Sequence, residues 1–441
     1  MFAACRARAV IQLLLANKLC QTIDNNHGLP RQRNRAGAVF GLECSGKLEE
    51  AQKTTKLVMN PWEIWLWPWL AASDLTRRAL EAVVHGSMET NDGDAALPRV
   101  TESEWVSPNH LTIELDAMRV RDFSVPRSKQ RSTLIVAPFA LHDARIADLA
   151  SGHSLIETLR ANECARLFLI EWKSATAKTK LRTIDSYLCD LNVAVDDIGP
   201  PVDLIGLCQG GWLSLVYAAR FAGKVRRLVL AGAPIDVMAE PSIPSAQARM
   251  TPDAVIDDIV RAGNGVVLGR TLLDLWPQEG DESAFVIDAL QYPGPPANEK
   301  DRRTVETFLS WQRQTLDLPG PYFLEVFEWI FRENRIAAGR FCALGRLVDL
   351  RELHCPLFLL AGNRDSIATA GQVLAAATLT GAHPRDVETA IVPCGHLALF
   401  VGQDTLKNIW PRIARWLSER AVRERKSRFT TRRSRSVEFL P

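Results

Sequence analysis

No stretch of this chain holds the roughly 20 consecutive apolar residues that a membrane-spanning helix needs, which argues against an integral membrane protein of the helical kind. There is no CxxC pair, and none of the nine cysteines (Cys5, Cys20, Cys44, Cys164, Cys189, Cys208, Cys342, Cys355 and Cys394) stands at metal-ligand spacing from a histidine, so a structural zinc is not expected. An odd number of scattered cysteines, several inside apparent core strands, fits a reducing compartment better than a disulfide framework, and the expected location is the cytoplasm. Excess charge of either sign is also missing: 53 basic residues face 51 acidic ones, and nothing global calls for nucleic acid. No internal repeat is visible. Arg6 and Arg8 ahead of the apolar run from Ala9 to Ala16 imitate a signal peptide, but Gln12 interrupts the run and Lys18 stands where the cleavage site would be.

With 47% hydrophobic residues in 441, a sizeable core is within reach, as one large domain with insertions or as two domains. Residues 1–58 have weak periodicity and an Arg-rich middle and read as a flexible extension, with Met59 a candidate start. Residues 59–129 read as an N-terminal helical segment. In it Trp62, Trp65, Leu66 and Trp69 share one face at helical spacing, which fits either an amphipathic anchor on a membrane or polymer surface or, preferably, packing on the protein's own core. Beyond Arg420 the tail at 421–441 is basic and poor in apolar residues, the pattern of a solvated disordered end.

From about residue 130 short apolar runs alternate with helical stretches, the signature of a mainly parallel sheet flanked by crossover helices. Expected strands are Thr133–Ala137, Leu167–Glu171, Asp203–Leu207, Leu228–Ala231, Leu357–Ala361 and Ala390–Val392; expected helices include Ser154–Ala161, Ile184–Asp196 and Trp212–Phe221. The alternation stops between Val237 and Val348, where a mostly helical stretch intervenes. This predicts an α/β-hydrolase core at 130–236 and 349–420, with residues 237–348 as a cap inserted after the strand Leu228–Ala231.

The segment Val202-Asp203-Leu204-Ile205-Gly206-Leu207-Cys208-Gln209-Gly210-Gly211-Trp212 carries the chemistry. An apolar strand runs into Gly-x-Cys-x-Gly and then into a helix, the nucleophile-elbow pattern with cysteine in place of serine. Gly206 and Gly210 are required because backbones pass too closely there for side chains, and the helix N-terminus behind Cys208 favours a thiolate. A buried inert cysteine beside a glycine-rich turn is the bland alternative.

The rest of the chain supplies what an elbow needs, in the order nucleophile, acid, base. Leu357-Phe358-Leu359-Leu360-Ala361-Gly362 ends in a loop carrying Asp365, and Ala390-Ile391-Val392-Pro393-Cys394-Gly395 leads to His396. The roles follow: Cys208 attacks, His396 takes its proton, and Asp365 fixes the imidazole tautomer. Oxyanion donors are expected from the Gln209 N–H and from Phe139 or Ala140 in the loop after the Thr133 strand. His142, in that same loop, reads as a loop residue or substrate contact rather than the base.

On these residues the chain from about 130 to 418 resembles the family of polyhydroxyalkanoate synthases and intracellular polyhydroxyalkanoate depolymerases. Ile146-Ala147-Asp148-Leu149 with Ser154-Leu155-Ile156, the Gly210-Gly211 pair, and Leu318-Pro319-Gly320-Pro321 look like the synthase side. Cys208-Gln209, Asp317-Leu318-Pro319 leading to Tyr322-Phe323-Leu324, Gly371-Gln372 with Ala375-Ala376, and Gly395-His396-Leu397-Ala398-Leu399-Phe400-Val401-Gly402 look like the depolymerase side. No proline follows Cys208-Gln209, and Asp365 is followed by Ser366-Ile367-Ala368-Thr369 rather than the His-Ile-x-Pro-Trp run of the synthases.

The resemblance implies attack of Cys208 on a 3-hydroxyacyl ester or thioester through an acyl-cysteine, with no metal or organic cofactor. The missing proline is a departure from the depolymerase pattern, but the departures from the synthase pattern lie around the acid and base, and the sequence leans toward hydrolysis of polyester. A synthase polymerising hydroxyacyl-coenzyme A is the alternative. A non-enzymatic granule- or membrane-surface protein, working through Trp62, Trp65, Trp69 and the tail, is a third reading that the complete triad opposes.

Overall fold

A computed structural model describes residues 105–128, 130–275 and 282–419. The extension at 1–58, the Trp62, Trp65 and Trp69 stripe and the tail at 421–441 lie outside the described residues. Eight strands form one sheet: β1 (His110–Glu114), β2 (Met118–Asp122), β3 (Thr133–Val136), β4 (Leu167–Trp172), β5 (Val202–Leu207), β6 (Val225–Ala231), β7 (Leu357–Gly362) and β8 (Val387–Val392). Their spatial order is β1-β2-β4-β3-β5-β6-β7-β8. β2 pairs antiparallel with both neighbours, and the pairings from β4 to β8 are all parallel. That order, with helical crossovers on both faces, is the α/β-hydrolase arrangement, and the expected fold class is borne out.

Parallel strands covered on both faces need apolar side chains in both directions, and β3 (TLIV), β5 (VDLIGL) and β7 (LFLLAG) are buried throughout. Leu134, Leu204, Leu230 and Leu359 point to one side, where they meet helices Ile184–Ile198 and Gln209–Arg220. Ile135, Ile205, Val229 and Phe358 point to the other, against Leu155–Ala161 and Trp410–Ser418. Each fully buried side chain of this size contributes about 1.5–3 kcal/mol, so the two faces of the sheet carry much of the apolar stabilisation.

One expectation fails here. The described part of 59–129 is not helical: residues 110–122 form the antiparallel β1–β2 hairpin, so the sheet begins about twenty residues before the expected core boundary at 130. The signal was weak because β1 is largely exposed and short, with only Leu111 and Ile113 apolar. β8 likewise starts at Val387, not Ala390, since an edge strand tolerates the polar Glu388 and Thr389. Between β6 and β7 lies the insertion, with helices Ile243–Met250, Asp253–Ala262, Glu282–Leu290, Glu299–Arg313 and Gly320–Glu325 among its elements. It joins the core on both sides, Trp311 on one and Tyr322 on the other.

Candidate active site

Cys208 sits at the turn between β5 and helix Gln209–Arg220 with φ 50° and ψ −119°, a conformation that costs a non-glycine residue about 1–3 kcal/mol. The turn is held from both ends: the Cys208 N–H donates to Ala231 O (2.9 Å) and its carbonyl accepts from the Gly211 N–H (2.8 Å). The glycines are obligatory by contact. A Cβ on Gly206 would lie 2.4 Å from Gly211 Cα, one on Gly210 would lie 2.1 Å from Val136 O, and one on Gly211 would lie 2.4 Å from Ala233 Cβ. The helix starts at Gln209, three residues before the expected Trp212, because close packing overrides the poor helix propensity of Gly210 and Gly211.

Asp365 follows β7 and is buried. Its Oδ1 accepts from the N–H groups of Ile367 (2.8 Å) and Ala368 (2.9 Å), and its Oδ2 lies 2.7 Å from His396 Nδ1. His396 follows β8, with Phe400 edge-on to its ring at 5.4 Å. Burial by itself would lower the His396 pKa. The charges of Asp365 and Cys208, together with their hydrogen bonds to the ring, outweigh that effect and raise it well above the usual histidine range. With Nδ1 committed to Asp365, it is Nε2 that remains for Cys208. The three side chains thus meet in an arrangement in which Cys208 could act as nucleophile, His396 as base and Asp365 as orienting acid. Gly232, at φ +56°, completes the pocket for the ring, since a Cβ there would come within 3.1 Å of His396 Cε1.

The candidate oxyanion donors divide between two elements. Gln209 is the first residue of its helix, so its N–H has no carbonyl four residues back, and the positive end of the helix dipole points there. Its side chain is drawn aside, Gln209 Oε1 accepting from Trp212 Nε1 (2.9 Å). On the other side, the loop after β3 is anchored by carbonyls: Ala137 O accepts from Trp172 Nε1 (2.8 Å) and Phe139 O from the Tyr322 hydroxyl (3.1 Å). The Phe139 ring is buried among Trp172, Tyr187 and Tyr322, whereas Ala140 is half-buried. His142 is engaged elsewhere, with Nδ1 3.0 Å from Gln314 O and its ring 4.6 Å from that of Trp311; desolvation lowers its pKa.

The triad, the elbow and the loop are legible in the sequence; Trp172, Gly232 and the role of Tyr322 are not, although Tyr322 lies within a motif that carries the resemblance. Among the described residues no group of three or more His, Cys, Asp or Glu is arranged to hold a metal ion.

A strained cysteine elbow facing a buried His–Asp pair on this sheet is the acyl-transfer geometry of the α/β-hydrolase fold. Comparison with known proteins narrows the class. The family described as "PHB de-polymerase C-terminus" matches residues 296–421. A poly(3-hydroxyalkanoate) polymerase subunit PhaC from Synechocystis is 29% identical over 62% of this chain and 74% of its own length. A PhaC subunit from Allochromatium vinosum is 26% identical over 71% of this chain and 89% of its own. Among solved structures, a monoacylglycerol lipase from Paleococcus ferrophilus aligns with TM-score 0.45 and 14% identity, over 68% of this chain and 98% of that one. The resemblance to the polyhydroxyalkanoate synthase and depolymerase family is thereby borne out.

Proposed function

We propose that this chain is an acyltransferase of polyhydroxyalkanoate metabolism that polymerises 3-hydroxyacyl groups from coenzyme A thioesters. The supporting observation is the likeness to polymerase subunits across most of their length. It favours the synthase alternative over the hydrolytic reading toward which the sequence leans. In this reading Cys208 Sγ attacks the thioester carbonyl and the oxyanion is held by the Gln209 N–H and the Phe139–Ala140 loop, one such donor being worth about 10²–10³ in rate. The tetrahedral intermediate collapses to acyl-Cys208 as His396 delivers a proton to the departing coenzyme A sulfur. A hydroxyl of another monomer or chain end then attacks the acyl carbon, His396 removes its proton, and the Cys208 sulfur leaves.

Hydrolysis is the second reading, favoured by the depolymerase-type match at 296–421, the region that carries Asp365 and His396. It differs only in that His396 activates water. The insertion at 237–348 would decide between water and a chain end by what it admits. The test is incubation of the purified protein and a Cys208→Ala variant with 3-hydroxybutyryl-coenzyme A and, separately, with amorphous polyhydroxybutyrate. Thiol release with insoluble product, lost in the variant, is expected; soluble hydroxyacid released from polymer establishes the second reading, and inactivity on both overturns both.

A further inference from the structure

The loop that carries Phe139 and Ala140 is not self-supporting. Segment 311–322 of the insertion runs along it in the opposite direction and holds it residue by residue. The Tyr322 hydroxyl donates to Phe139 O (3.1 Å), the Leu316 N–H to Leu141 O (2.8 Å) and Trp311 Nε1 to Asp143 O (3.3 Å). Tyr322 is buried, as Trp311 is, and differs from the other two in that its hydroxyl grips the one carbonyl whose peptide bond also contains the Ala140 N–H. Carbonyl and N–H of a trans peptide lie in one plane and point oppositely, so fixing the first aims the second. The Phe139 ring packs 5.0 Å from that of Tyr322 and 4.9 Å from that of Tyr187, so the residue is held from its side chain as well. Burial keeps the Tyr322 phenol protonated, as a donor must be, and Cys208 is close enough to contribute to that effect.

We propose that Tyr322 is a positioning residue for acyl transfer: by holding the Phe139 carbonyl, its hydroxyl aims the Ala140 N–H at the oxyanion that forms when Cys208 is acylated. This rests on the reading of Cys208 as an acyl-transfer nucleophile but not on which acyl donor it uses. Loss of the hydroxyl loosens a donor without deleting it, so the rate loss lies below that of removing one outright, at about 10- to 100-fold.

The test compares the full chain with Tyr322→Phe in two reactions of the same sulfur. Acylation by p-nitrophenyl butyrate forms a C–S bond, breaks the aryl ester C–O bond and passes through an oxyanion; the released p-nitrophenolate reports it. Alkylation by iodoacetamide is a direct displacement of iodide and has no oxyanion. The expected result is acylation slowed about 10- to 100-fold at unchanged KM, with alkylation unchanged. Equal acylation rates, or a parallel fall in both reactions, would overturn the proposal. Should Tyr322→Phe fail to fold, Phe139→Leu, which keeps the carbonyl but removes the ring packed on Tyr322, is judged by the same two outcomes. A wild type that is acylated by the aryl ester yet ignores 3-hydroxybutyryl-coenzyme A refutes the polymerase reading alone; one that alkylates but is acylated by neither refutes both.

Discussion

His396 Nδ1 lies 2.7 Å from Asp365 Oδ2, and Asp365 is itself fixed by two backbone N–H groups on its other oxygen, so the carboxylate sets both the orientation and the tautomer of the ring. Asp365→Asn keeps the shape but presents an amide group that donates where the ring also donates. By analogy with the buried aspartate of serine triads, turnover is expected to fall by about 10⁴. The sign with pH follows from the raised His396 pKa. A proton held more tightly in the folded state stabilises the fold fully below the ordinary histidine value, and that contribution fades as pH rises through the raised one. The Tm deficit of Asp365→Asn should therefore be widest at mildly acidic pH and shrink in alkali. A deficit that grows with pH contradicts this assignment.

The elbow and the acid could be found from sequence because each sits at the end of a strand buried on both faces, which writes itself as an uninterrupted apolar run such as Leu357–Gly362, and the base because the short run Ala390–Val392 of the edge strand β8 leads into Gly395-His396. What could not be read depends on contacts between distant segments. Tyr322 and Phe139 are 183 residues apart, and nothing local marks a tyrosine whose hydroxyl finds a particular carbonyl. Gly232 is a lone glycine after a strand, and only the His396 ring beside it explains it. The β1–β2 hairpin was invisible for the opposite reason: an edge strand with one face in solvent needs few apolar residues.

Thiol chemistry offers a second check. Cys164 and Cys394 are buried, and desolvation pushes both thiols up to about 12. Neither should react with iodoacetamide at pH 8 in the folded protein, whereas Cys208, half-buried beside His396, should. Peptide mapping after graded labelling reads this directly, and loss of acyl transfer should track Cys208 alone. Activity that survives complete modification of Cys208 would remove it from the mechanism.

Gly210 and Gly223 make a matched pair. A methyl group at Gly210 would drive into Val136 O at 2.1 Å, a backbone atom that cannot yield without moving β3, while at Gly223 nothing lies within 4 Å. Gly210→Ala should cost more than about 2 kcal/mol and displace the elbow, and Gly223→Ala should stay within about 0.5 kcal/mol of wild type. Urea denaturation of the two variants measures the difference; similar midpoints would mean that the β3–elbow contact is looser than described.

Asp148 tests a network away from the reaction. This buried carboxylate accepts from the Ser107 N–H (2.8 Å), the Ser107 hydroxyl (2.9 Å) and the Ser154 hydroxyl. Ser154 in turn caps helix Leu155–Ala161 by accepting from the Glu157 N–H (2.9 Å). Desolvation raises the Asp148 pKa despite those hydrogen bonds, so the site holds its acceptor at a cost. In Asp148→Ala three donors lose their acceptor inside the protein, and leaving a buried donor unsatisfied costs about 1–3 kcal/mol each. The variant should be destabilised by several kcal/mol by this reckoning, yet turn over at the wild-type rate per alkylatable Cys208 below its melting temperature. A selective loss of turnover in protein that remains folded would instead tie this network to the site.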